Sequence, residues 1–304
     1  MSGGIYFALA AAAAWALTVV MPLLLPEFPP LLLSSARYGL LGLASFVVAF
    51  PALARARHLL TPRDLVRAMA LALLGNAGFF VLFTLAIREA GVTLASLIVG
   101  LLPITLTLAG RPGHWRGLLM PMGLATGGTL LMSLEGLIAG THATRGSLLM
   151  GLIYALGALA SWTLYGTWNA RFLQVDRRFD GRLWASLCGI ASGVWSLLLY
   201  QLWLVTGPAI AADARWQLFW TVTLLVSVIG SVLGGMLWNA ASLRLPLAML
   251  AQCVVFETLC AISYGHLLSA TWPGLVEGMS LALLSAGMFW ALRRLHARPD
   301  VMRR

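Results

Sequence analysis

Apolar runs recur along this chain at 4–25, 30–52, 66–87, 92–110, 115–134, 147–170, 183–206, 216–240, 246–268 and 272–292. A helix needs about 20 apolar residues to cross a hydrocarbon core of about 30 Å. The ten runs use most of the 304 residues and leave no stretch for a soluble domain. They predict an all-α integral membrane protein of ten transmembrane helices. Composition agrees: 10% of residues are charged and 60% hydrophobic, where a soluble domain carries about 25% charged residues. The first run lacks the basic start of a secretory signal and continues through Leu25, so it reads as the first span.

The formal charge is +10, and every one of the 20 basic residues is Arg. Such a charge can mark nucleic-acid binding. The distribution argues otherwise, because the Arg residues sit in short loops between spans. With the N-terminus inside, sixteen fall in inner loops and the tail, and three (Arg88, Arg145 and Arg215) in outer loops. Cytoplasmic loops carry the Arg excess, so both termini are expected in the cytoplasm. A bacterial cytoplasmic membrane is the expected location, with lipid and a small molecule as partners and no nucleic acid. Cys188, Cys253 and Cys260 lie within spans and show no metal-ligand spacing. No metal or cofactor is expected.

The chain also repeats itself. A shift of 147 residues lays Gly4, Ala8, Leu9, Ala11, Ala13, Trp15 and Leu17 on Gly151, Ala155, Leu156, Ala158, Ala160, Trp162 and Leu164. Without a gap, Gly42, Ala44 and Ser45 then meet Gly189, Ala191 and Ser192. A five-span repeat is odd in number, so its second copy enters from the opposite side. The expected organisation is a first repeat at 1–135, an outer linker at 136–146, and a second repeat at 147–304 with a basic tail. Inverted repeats are a transporter architecture, with the substrate site near the midplane between the halves.

The residues Trp15, Arg37-Tyr38, Leu94-Ala95-Ser96-Leu97 to Leu102-Pro103, Gly151 and Ser161-Trp162-Thr163-Leu164-Tyr165 resemble the drug/metabolite transporter superfamily. The match is to its ten-helix exporter branch, and within that to the aromatic amino-acid exporters. The resemblance implies a central cavity lined by spans one to four and six to nine, with five and ten peripheral. It also implies the direction of transport. One departure stands out: Phe256-Glu257 occupies span nine where the Pro of span four would recur.

Candidate site residues follow from side chains that hydrocarbon does not suit. Twelve Trp residues are many, and the membrane interface accounts for most, Trp184 and Trp238 among them. Trp15, Trp162 and Trp195 are mid-span, where an indole N–H must find a partner or line a cavity. Trp162, Tyr165 and Asn169 share a helical face; their repeat partners are Trp15, Thr18 and Pro22. Asn76, Phe79, Phe80 and Phe83 form a similar stripe, and ordinary packing is the competing reading of both. Asn239 sits near an inner span end, where hydration accounts for it. Glu257 lies at the centre of span nine and Arg37 about 5 Å from that depth, at about 1.5 Å per residue, which allows an ion pair. A protonated Glu257 bonded to Gln252 or a backbone carbonyl is the alternative. Ser227, Gly230, Ser231, Gly234 and Gly235 read as close helix packing.

One Arg and no Lys within the spans disfavours a phosphorylated substrate. An uncharged or zwitterionic amphipathic solute suits such a cavity. Its ring would rest on Trp15, Trp162 or Tyr165 and its ends on amides, hydroxyls or Arg37. Aromatic and other hydrophobic amino acids meet this description, as do drug-like compounds. A membrane serine hydrolase would need a His near Ser192, and only His266 approaches a span interior.

Overall fold

The computed structural model describes residues 2–110, 115–138, 148–176 and 178–296, and every described element is helical. A segment without water nearby closes its backbone hydrogen bonds internally. In chain order the helices are α1 (Ser2–Leu24), α2 (Pro30–Ala56), α3 (Pro62–Ala72), α4 (Gly78–Val99), α5 (Leu102–Ala109) and α6 (Leu119–Ile138), followed by α7 (Leu148–Val175), α8 (Gly181–Thr206), α9 (Trp216–Leu225), α10 (Gly234–Ser242), α11 (Leu247–Ser269) and α12 (Leu275–His296). Two segments wind as π-helix: Leu73–Ala77 joins α3 to α4, and Val226–Leu233 joins α9 to α10.

Seven described runs are long and apolar enough to cross a bilayer: Pro30–Arg55, Pro62–Ile87, Leu148–Val175, Gly181–Thr206, Trp216–Ser242, Leu247–Leu268 and Leu275–Leu295. The protein is therefore a multi-pass membrane protein. The other three expected crossings fall on α1, on α4 with α5, and on α6. The expected linker lies largely outside the described residues, as do the tail beyond residue 296 and the side chains of Pro22, Arg88 and Trp115.

Local chemistry sets several helix ends. Thr61 caps α3: its hydroxyl accepts from the Asp64 N–H, while the Asp64 carboxylate accepts from the Thr61 N–H at 3.0 Å. Asp180 caps α8 by accepting from the Leu183 N–H at 2.7 Å. Pro103, in the first turn of α5, follows the break at Gly100–Leu101.

Contacts along α7 show that the chain doubles back. Gly75 lies against Tyr165, Ser161 donates to the Leu74 carbonyl, and Ala90 touches Gly151. Thr105 then meets Thr163, and Leu106 meets Gly166. Positions 74–90 thus run antiparallel to α7, and 105–106 have returned along it. Between Ala90 and Thr105 the chain retraces about 18 Å, which is 12 residues of α7 at about 1.5 Å each. A straight helix to Val99 would leave too few residues for that return, so the turn lies within α4, near Ala90.

α2 and α8 cross where glycine allows backbone contact. A Cβ on Gly42 would lie 2.6 Å from the Gly193 Cα, and one on Gly189 would collide with Ser45. Ion pairs join the two halves at either end of α8. Before it, Arg178 holds Asp64 at 3.0 Å and Asp176 at 2.6 Å; the Asp64 side chain is fully buried. After it, Arg215 holds Glu27 through two bonds of 2.8 Å. The hydrogen bonds from Arg178 and Arg215 hold the Asp176 and Glu27 carboxyls below their usual ranges.

Candidate functional site

A cavity of about 680 Å³ lies among the helices. α1 contributes Trp15 and Thr18, and α2 contributes Arg37 and Tyr38. The first π-segment contributes Gly75 and Asn76, followed by Phe79 and Phe83 of α4. Trp162 and Tyr165 come from α7, and Glu257 from α11. Ten of the twelve residues singled out from sequence are therefore brought together.

Aromatic rings form one wall. Trp15 and Trp162 meet edge to face, with centroids 6.0 Å apart and planes at 88°. Tyr165 lies 5.6 Å from Trp162, and Phe79 stacks on Phe83 at 5.8 Å. Trp238 backs both indoles, 5.0 Å from Trp15 and 5.9 Å from Trp162. Two glycines make the seats: a Cβ on Gly234 would lie 2.8 Å from the Trp15 ring, and one on Gly75 2.6 Å from the Tyr165 ring.

Asn169 and Gln252 are the two that do not line the cavity. Asn169 is fully buried, donating to the Asn239 side-chain oxygen at 2.8 Å and accepting from the Trp184 indole at 2.9 Å. It holds Asn239, which does line the cavity. Gln252 is also fully buried and donates to the Thr107 hydroxyl at 2.9 Å, tying α11 to α5. Hydrocarbon drives each amide onto another polar group.

Other expectations are also corrected. Asn239 is bonded to Asn169 at the cavity wall, and Trp184 and Trp238 are fully buried within the protein. Trp195 sends its N–H to the Met69 carbonyl at 3.0 Å and is not among the residues lining this cavity. Arg37 and Glu257 form no ion pair: Arg37 donates to the Tyr38 hydroxyl at 2.6 Å and lies over its ring, 4.4 Å from the centroid. Among the described residues none hydrogen-bonds the Glu257 carboxylate, Gln252 included. Span five is not peripheral, since Met122, Ala125, Thr126 and Thr129 of α6 reach the cavity, as does Leu284 of α12. Ser231 and Gly235 line it too. The spacing of Thr126 and Thr129, one helical turn apart in an apolar span, was the available signal for α6. Asn76 donates to Ser192 at 2.7 Å, and Ser192 donates to the Cys188 carbonyl at 2.9 Å. His266 pairs instead with Glu277 at 3.0 Å, so the serine-hydrolase pairing is absent among the described residues.

A helical membrane bundle around an aromatic cavity with a few convergent polar groups defines a transporter-like site. Comparison with known proteins makes the class definite. Residues 2–111 match the EamA-like transporter family. The chain is 30% identical over 316 residues to the inner membrane protein YtfF of Escherichia coli (strain K12), covering 99% of this chain and 97% of that protein. It belongs to the EamA-like family, within the drug/metabolite transporters. A crystal structure 15% identical in sequence superposes over 99% of this chain and 100% of its own, with a TM-score of 0.78, and shares the fold.

Proposed function

We propose that the protein exports small amphipathic solutes, uncharged or zwitterionic, by alternating access across the bacterial cytoplasmic membrane. Aromatic and other hydrophobic amino acids are the solutes that best suit the site. One observation carries this: Trp15 and Trp162, 147 positions apart, stand edge to face at the wall of one cavity. In this reading a substrate ring rests on Trp15, Trp162, Tyr165, Phe79 or Phe83. Its polar ends meet Thr18, Asn76, Tyr38, Arg37 and Glu257, while Asn169 and Gln252 hold neighbouring helices in place. Glu257 carries a proton between the two access states.

The same reading takes the bundle as ten spans in two inverted five-helix repeats, at 1–135 and 147–304, with both termini in the cytoplasm. Three features support it. Gly42 and Gly189, again 147 apart, are both close-approach residues of α2 against α8. The π-segments Leu73–Ala77 and Val226–Leu233 stand against α7 and α1, the repeat-related helices. The charged loops at the two ends of α8 are joined in equivalent ways.

The volume favours a second reading, broad-specificity efflux, because about 680 Å³ falls well inside the range of about 300–1,000 Å³ typical of drug-sized ligands. Reconstitution into proteoliposomes with a panel of amino acids and drugs tests both. Trp15→Ala and Trp162→Ala should each lower apparent affinity for aromatic solutes about three- to tenfold, the worth of one aromatic pair at about 0.5–1.5 kcal/mol. Expression should stay unchanged. Normal transport by both variants would reduce these residues to packing.

A further inference from the structure

The cavity does not end at the central aromatic wall. On α11 it touches Val254, Glu257 and Ala261, a single helical face, and also Thr258 and Ile262 on the next face round. α11 packs along α1, α5 and α12 but not along α4. Helices α6 and α12 pack along each other. Those two helices are clasped: a Cβ on Gly128 would lie 2.8 Å from the Ser280 carbonyl oxygen, and one on Gly287 2.5 Å from that of Pro121. The cavity therefore reaches α6, α11 and α12 as well as the aromatic wall. Thr126 and Thr129 of α6 and Thr258 of α11 line it beside Phe83 and Leu284. Thr129 donates to the Ala125 carbonyl at 3.2 Å, whereas no described residue hydrogen-bonds the hydroxyls of Thr126 and Thr258. Each hydroxyl can donate and accept.

We propose that these threonines form a second subsite, which takes the neutral hydrogen-bonding end of an elongated amphipathic solute whose aromatic end rests on Trp15, Trp162 and Tyr165. The inference rests on the transport reading above and narrows it. The preferred solute is longer than one amino acid and ends in an amide or hydroxyl. An amide placed in hydrocarbon without a partner is costly. The threonine hydroxyls offer such partners, and the same cavity holds the rings. A site built to hydrogen-bond a substrate group discriminates by that group more sharply than an apolar pocket does by size.

The test uses the full chain in proteoliposomes with phenylalanine and the C-terminally amidated dipeptide phenylalanyl-serinamide as probes. Thr126→Val and Thr258→Val keep the side-chain shape and remove the hydroxyls. The double variant should lower the ratio of dipeptide to phenylalanine transport about three- to tenfold, the worth of a typical net hydrogen bond. Trp162→Ala should lower transport of both probes together. Melting temperature in detergent, measured on each variant, separates loss of fold from loss of recognition. An unchanged ratio in the well-folded double variant overturns the second subsite and leaves the transport reading standing. A wild-type protein that moves neither probe overturns the transport reading, and this inference with it.

Discussion

Arg37 and Glu257 line one cavity without forming an ion pair, the Arg37 guanidinium being taken up by the Tyr38 ring and hydroxyl. Glu257→Gln keeps the shape and removes the charge. It should reduce transport about tenfold or more, since a hydrogen bond to a charged group is worth about 1.5–3 kcal/mol, and should flatten the pH–rate profile. Arg37→Gln should cause a separate loss, and the double variant should be additive within about 0.5 kcal/mol. Coupling well above that value in a double-mutant cycle would mean that the pair forms during transport and that Glu257 is not an independent proton carrier.

Gly75 should tolerate no side chain. A Cβ there would lie 2.6 Å from the Tyr165 ring, and overpacking costs about 1–3 kcal/mol. Gly75→Ala should lower both the melting temperature in detergent and transport, because Tyr165 must leave the aromatic wall. Gly123 of α6 has nothing within 4 Å of its would-be Cβ. Gly123→Ala should leave melting unchanged or raise it, by about 0.5–1 kcal/mol of helix preference. Equal melting curves for the two variants would contradict the seat proposed for Tyr165.

The Glu27–Arg215 pair sets a pH dependence. Arg215 lowers the Glu27 pKa below its ordinary value of 4.5. A depressed carboxyl contributes stability that is fully present above the unfolded-state pKa and is lost as pH falls through the folded one. Melting temperature should therefore fall below about pH 4.5, more in the wild type than in Glu27→Gln. The difference should shrink in high salt, because the pair is exposed to solvent. Identical profiles from pH 7 to pH 3 would remove this pair from the account.

Single cysteines placed on a cysteine-free background test the orientation. Labels at 53–62 and 174–181 should be shielded from an impermeant reagent in intact cells, and labels at 138–144 should react. Reaction of 174–181 from outside would reverse the arrangement of the second half.

Much of this was legible in the sequence, because hydrocarbon imposes length and composition on each span. Trp15 and Trp162 stood out by depth and by their shared register. The angular placement of side chains around each helix was not legible. Arg37 and Glu257 have similar depths, yet depth says nothing about azimuth, and Tyr38 was the nearer partner. Asn169 finds Asn239 at a sequence separation of 70, a contact that no local periodicity encodes. Within Leu73–Ala77 and Val226–Leu233 the bonding is i→i+5 rather than i→i+4. A helical wheel drawn through either segment misplaces everything beyond it. The part played by α6 was hidden for another reason: in sequence Thr126 and Thr129 look like ordinary hydroxyls bonded to their own helix, and only the packing of the helices around them makes them cavity residues.

The signs of the two ion pairs at the ends of α8 have a consequence for partner choice. In both, the first half supplies the acid (Asp64 and Glu27) and the second half supplies the arginine (Arg178 and Arg215). If two copies of the first half were to meet in the same antiparallel manner, Glu27 would face Asp64; two copies of the second half would set Arg178 against Arg215. On the inverted-repeat reading, either half paired with its own kind would bring like charges together at both contacts. Severed within 139–147 and coexpressed, the halves should assemble as one-to-one heterodimers and not as homodimers. A pair of genes encoding such halves separately would already carry the instructions for telling self from partner.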